Sequence, residues 1–179
     1  MRGALTRRNL LAGAMAAPVL AGCGFRPMYG GRSATSDGPA TDGLAAITVA
    51  LIPERTGQLL RQALQERFER GGAGVAHRYD LQVSFGIGGE GIGIQQDNST
   101  TRLRYVGTAT YTLLAQDATR TTLTSGTARA IDGLNIINEQ YFAMDLEAEA
   151  VYRRLAEAVA DQIALRLAVF FNQQAGRVG

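Results

Sequence analysis

From Tyr79 to Gly88 every second residue is apolar. Tyr79, Leu81, Val83, Phe85 and Ile87 alternate with Asp80, Gln82, Ser84, Gly86 and Gly88. A period of two places one set on each face of an extended chain, so the stretch reads as a β-strand with one buried face. Leu103, Tyr105, Ala109, Tyr111 and Leu113 repeat the pattern against Arg102, Arg104, Thr108, Thr110 and Thr112. A turn over Gln116–Arg120 then leads into a Thr-rich strand from about Thr121 to Ile131. Strands that each carry one polar face require cover on the other face only.

The cover is legible on either side of these strands. Ile47, Val49 and Leu51 form a short strand that Pro53 ends. Thr56 starts a helix to about Arg70, with Leu60, Leu64 and Phe68 on one face beside Leu59 and Ala63, and Gly71-Gly72 close it. From about Asp145 to Phe171 the period turns helical again: Val151, Leu155, Val159, Ile163, Leu167 and Phe170 recur at that spacing. Asp145, Glu147 and Glu149 crowd its first turns, as the helix dipole favours. The expected architecture is α+β: about four strands in one sheet, two helices packed on one face, in the order β-α-β-β-β-α. A single domain over 45–175 would hold it, with the Thr- and Arg-bearing face left to solvent or a partner.

The first 22 residues have a different character. Met1–Asn9 is basic, Leu10–Leu20 is a short apolar run, and Ala21-Gly22 precede Cys23, the only cysteine among 179 residues. This is the layout of a secretory signal peptide, and the apolar run is about half the ~20 residues a membrane-spanning helix needs. Leu20-Ala21-Gly22-Cys23 matches the bacterial lipobox, which marks the thiol for a diacylglyceryl group before cleavage. Cys23 is therefore expected to be an anchor rather than a nucleophile; two or three acyl chains, at ~0.8 kcal/mol per buried CH2, hold far better than one. Thr6-Arg7-Arg8-Asn9-Leu10-Leu11 also resembles the twin-arginine export motif, and an ordinary general-secretory leader with adjacent arginines fits equally. Gly24 follows the anchor where Asp usually signals inner-membrane retention, so outer-membrane placement is allowed. Residues 23–44, rich in Gly, Ser, Thr, Asp and Pro, read as a lipidated tether, about 20 residues with an r.m.s. span of roughly 25 Å.

Charge and composition narrow the function. All 18 basic residues are Arg, and three of them (Arg2, Arg7 and Arg8) sit in the leader. The remainder holds 15 Arg against 16 acids, a net charge of −1, so the body lacks the basic footprint of a nucleic-acid binder. One Cys and one His, His77, cannot build a zinc site of four cysteines or of cysteine and histidine pairs, and no metal or cofactor is expected.

Gly86, Gly88 and Gly91 spell a literal GxGxxG, but no amphipathic helix follows to meet a phosphate, so a bulged or bent strand end is the better reading. His77 stands at a strand entrance with no nucleophile motif beside it, which argues against hydrolysis. Arg102 and Arg104 share a strand face ~7 Å apart. Guanidinium groups suit phosphates, so the pair is the candidate contact for a phosphorylated lipid headgroup; a solvated face with paired charges is the alternative.

The residues beyond the anchor, Cys23-Gly24-Phe25-Arg26-Pro27-Met28-Tyr29-Gly30, resemble the post-lipobox signature of alphaproteobacterial LptE-type lipoproteins. Asn138-Glu139-Gln140-Tyr141-Phe142 and Ala160-Asp161-Gln162-Ile163-Ala164-Leu165-Arg166-Leu167 are similar to that family too. The resemblance implies a non-enzymatic lipoprotein on the periplasmic side of the outer membrane. It would plug and help assemble the lipopolysaccharide-translocating barrel, an LptD-type partner, and bind lipopolysaccharide. The competing readings are an auxiliary lipoprotein of a lipid-transport ABC system and, further off, a lipid-anchored hydrolase.

Overall fold

The computed structural model describes residues 38–69, 75–94, 100–135 and 141–178. The leader residues Thr6, Arg7, Arg8, Leu20, Ala21 and Gly22, the anchor Cys23, and Asn138–Gln140 lie outside these. The elements in chain order are α1 (Pro39–Ala45), β1 (Ile47–Val49), α2 (Glu54–Glu69), β2 (Tyr79–Ile94), β3 (Thr100–Ala115), β4 (Thr122–Asn135) and α3 (Tyr141–Val178). They form a four-stranded mixed sheet in the order β1-β2-β3-β4. β1 pairs parallel to β2 through the α2 crossover, and β2, β3 and β4 follow as an antiparallel meander.

The period-two pattern builds the sheet as expected. Leu81 and Val83, then Ala109, Tyr111 and Leu113, then Ala128, Ala130 and Leu134 are buried on one face. On the other, Gln82, Ser84, Thr108, Thr110, Ser125, Thr127 and Arg129 are exposed. The helices supply the facing layer. Leu60, Leu64 and Phe68 of α2 and Val151, Leu155, Val159, Ile163 and Leu167 of α3 complete one continuous core. Along α3 these large residues stand four apart, and Ala156, Ala160, Ala164 and Ala168 form a second buried row beside them. Rows four apart run obliquely across a helix, so one 38-residue helix meets strands along part of its length and other helices along another. Phe171 rather than Phe170 ends the buried stripe; Phe170 is half-buried against it.

The helices are tied in register. Arg55 Nη2 donates to Glu149 at 2.8 Å, and Arg67 Nε donates to Asp161 at 2.6 Å. Moving from the first pair to the second advances both chains by the same number of residues, so α2 and α3 run parallel. Arg67 is the more buried anchor, donating also to the carbonyls of Ala63 and Glu157.

Several boundaries differ from expectation: α2 starts at Glu54 rather than Thr56, β4 runs on to Asn135, and three further differences concern α1, β2 and the last helix. The stretch read as tether up to 44 contains α1, so the described residues hold three helices and the fold begins before residue 45. Its Gly43 lies under the Phe171 ring, where a Cβ would come within 2.4 Å of the ring carbons. A helix held by one absent side chain leaves no apolar periodicity to read. β2 continues past Gly88 to Ile94 because backbone pairing with β3 carries the glycines along. The last helix starts at Tyr141 and runs on to Val178.

Candidate functional site

The polar sheet face is the most continuous surface the sequence sets aside. In register, Gln82, Thr112 and Ser125 form one row, Ser84, Thr110 and Thr127 the next, and Gly86, Thr108 and Arg129 a third. Threonine suits such a face, since its branched Cβ favours extended backbone while its hydroxyl stays hydrated. Beyond lies an apolar row of Gly88, Val106 and Ile131, with Ile131 57% exposed, and then Glu90, Arg104 and Gly133.

Both sequence-derived arginines stand on this face and are exposed, but they are not equivalent. Arg104 forms a cross-strand ion pair with Glu90. Arg102, the next residue outward on that face, has no ion-pair partner among the described residues. Arg102 is thus the freer cation, one row beyond the Glu90–Arg104 pair, which separates it from the apolar row; guanidinium groups suit phosphates. The Arg104–Glu90 pair is solvated and contributes little to stability, ~1 kcal/mol or less.

This asymmetry yields a prediction. Arg102→Glu is expected to weaken lipopolysaccharide binding several-fold in a purified-protein titration, the loss of one charge-assisted contact. Arg104→Glu changes two things at once, because it also sets two carboxylates against each other at Glu90. The single Arg102 variant is therefore the clean test, and unchanged affinity removes this face as the headgroup contact.

The other sequence candidates resolve simply. Gly86, Gly88 and Gly91 lie within β2, whose register shifts between Gly91 and Gly93. Among the described residues the next element is β3, so no helix of theirs starts there to meet a phosphate. His77 is exposed just before β2. Among the described residues no group of three His, Cys, Asp or Glu side chains could hold a metal ion.

Features beyond the reach of sequence reasoning sit at the two ends of the sheet. At one end Asp80 accepts from Gln116 Nε2 at 2.7 Å and pairs with Arg120 at 3.0 Å, fastening the β3–β4 turn to β2. Asp117 organises that turn: the Thr121 N–H and the Thr119 hydroxyl donate to it and hold its carboxyl below the usual range. Nearby, Pro39, Asp42, Gly43, Arg78, Tyr79, Phe171, Gln174 and Ala175 line a cleft of about 390 Å³. Tyr79 and Phe171 are 5.2 Å apart there, and the Arg78 guanidinium lies 5.8 Å from the Tyr79 ring centre. Towards the other end, Tyr105 meets Tyr152 edge-on at 5.5 Å. Burial, then the neighbouring Tyr152, raise the Tyr105 pKa.

The two long edges of the sheet are treated differently. Along β4, α3 satisfies the outward backbone. Gln162 Nε2 donates to the Arg129 carbonyl at 2.8 Å, the Arg129 N–H donates back to Gln162 Oε1 at 3.3 Å, and Arg166 donates to the Thr127 carbonyl. Farther along, Arg154 holds Asp132 at 2.6 Å. Burial there works to raise the Asp132 pKa, but the Arg154 hydrogen bond and the Gly133 N–H outweigh it, and the carboxyl sits below its ordinary value. Among the described residues, no side chain clips the β2 edge in this way.

The family model described as LptE, lipopolysaccharide-assembly, matches residues 44–167. No curated protein sequence matches the chain. Among solved structures, a lipoprotein from Caulobacter crescentus superposes with a TM-score of 0.59 at 21% identity, covering 75% of this chain and 98% of that one. Rare lipoprotein B from Shewanella oneidensis gives a TM-score of 0.51 at 9% identity, covering 69% of this chain and 93% of its own. A minor lipoprotein from Acinetobacter baumannii gives 0.51 at 14% identity, with 69% and 90% covered. At these identities the structures share the fold.

Proposed function

The chain belongs to the LptE lipopolysaccharide-assembly family, and on that footing we propose that it is an outer-membrane lipoprotein, lipidated at Cys23, that plugs and helps assemble the barrel delivering lipopolysaccharide to the outer membrane. The observation that carries this reading is the extent of the family match. Residues 44–167 take in β1, α2, all three long strands and most of α3. Membership of an assembly family points to a role in binding and positioning, not in bond-breaking.

Physical features support the same reading. A leader ending in Leu20-Ala21-Gly22-Cys23 is the signal for an acylated anchor. One sheet face carries, in successive rows, the Thr and Ser hydroxyls, the apolar Val106 and Ile131, the Glu90–Arg104 pair and then Arg102. That is the chemistry a phosphorylated glycolipid presents.

The test is purification of the affinity-tagged full chain from detergent-solubilised envelopes. An outer-membrane β-barrel protein is expected to copurify at about one copy per chain. Recovery of inner-membrane ABC-transporter subunits instead would assign the chain to a lipid-transport system and overturn the barrel reading.

A further inference from the structure

Resting on that reading, we propose that the open edge of β2 is where an extended segment of the barrel protein adds a fifth strand to the sheet. Tyr79 N–H donates to the Ala46 carbonyl, and the Ala50 N–H donates to the Leu81 carbonyl. Odd-numbered residues of β2 therefore aim their backbone groups at the β1 side, and even-numbered ones at β3. β1 is only three residues long and pairs with Tyr79, Asp80 and Leu81. Beyond it, the N–H and C=O groups of Val83, Phe85, Ile87 and Gly89 have no hydrogen-bond partner among the described residues. Unpaired strand edges are normally blunted by charge, proline, a bulge or a covering element. The β4 edge is covered in this way, whereas the β2 edge presents glycine.

The edge also defines what fits. The lane opens at Val83, where β1 stops, and closes at the register shift after Gly91. At ~3.3 Å per residue that is roughly 30 Å, room for a short strand of about five to nine residues. A second copy of this chain cannot use the whole lane. A two-fold pair centred on Ile87 would drive Gly93 and Ile94 of each copy onto the place β1 holds beside Asp80 and Leu81. A pair centred on Gly89, which avoids that clash, joins only Ile87 to Gly91 within the lane. A segment from another protein can use the lane in full. On the polar face, a Cβ at Gly86 or Gly88 would meet nothing within 4 Å, and Val106 stands next to Gly88 in register. The occupant is therefore an extended segment carrying a large apolar or aromatic side chain that lies over these glycines. Backbone pairing would supply the affinity, and this shallow apolar floor the specificity.

Residue-resolved amide hydrogen exchange on the full chain, alone and in its detergent-solubilised complex with the barrel, tests the proposal. Amides of Gln82, Ser84, Gly86 and Gly88 face β3 and serve as internal references. Those of Val83, Phe85, Ile87 and Gly89 are expected to exchange quickly in the free chain and on the order of 100-fold more slowly in the complex. A Gly86→Lys plus Gly88→Lys variant, whose side chains enter open space and leave the fold intact, is expected to cut barrel recovery about tenfold. A barrel that copurifies while the odd-numbered amides stay fast overturns the edge proposal and leaves the proposed function standing. Odd-numbered amides that become protected with rising concentration of the chain alone place a second copy on the edge and overturn it too. Failure of any barrel to copurify removes both.

Discussion

Cys23→Ala is expected to strip the protein of its lipid and abolish its recovery with outer membranes. The native chain should begin at residue 23 and exceed its polypeptide mass by the acyl adduct. The variant should keep its leader and show no adduct. The effect is large because the anchor is additive in CH2 groups: at ~0.8 kcal/mol each, two or three acyl chains dwarf any contact the exposed residues offer. No helix among the described residues is long and apolar enough to cross a membrane, so none of them supplies a spanning substitute. Intact mass and membrane fractionation together check the prediction. A Cys23→Ala variant that fractionates like the native protein would show that the sulfur carries no anchor.

Leu155→Ala is expected to be the most damaging conservative truncation in the core. Leu155 is 1% exposed and sits against β3 at Gly107, where a Cβ would lie 3.5 Å from its own. Glycine there has no side chain to relax into the space vacated, so the cavity stays open and the cost falls towards the upper part of the usual 2–5 kcal/mol. For a domain of this size that lowers Tm by roughly 8–15 °C. Leu165, ten residues along the same helix but 48% exposed, is the control, and Leu165→Ala should change stability by no more than about 0.5 kcal/mol. Thermal unfolding of the two variants side by side decides the matter. A loss at Leu155 no larger than at Leu165 would mean that α3 does not pack on the sheet as described.

Much of this fold was legible because its elements carry clean periods. The alternation in 79–88 and 103–113 specified which side chains face the helices. The four-residue recurrence from Val151 to Leu167 specified the face they meet. What escaped was everything decided at long range. α1 is held by the absence of a side chain at Gly43 beneath a ring 128 positions later, and no local pattern encodes that. The second half of β2 is glycine-rich, and pairing rather than propensity makes it a strand. The candidate site was half legible. Period two placed Arg102 and Arg104 together, but the pairing that sets Glu90 against Arg104 depends on the register of the β2–β3 hairpin. Gln162 clipping the β4 edge, and therefore the contrast with the open β2 edge, is likewise a tertiary fact.

The role proposed for this chain is lipopolysaccharide assembly at the outer membrane. The most direct measurement is the amount of lipopolysaccharide accessible at the cell surface as the protein is depleted from its native host. Surface lipopolysaccharide is expected to fall in step with the protein, while newly made lipopolysaccharide accumulates inside the envelope, and the lipidated wild type should restore it. Unchanged surface lipopolysaccharide after full depletion would rule that role out.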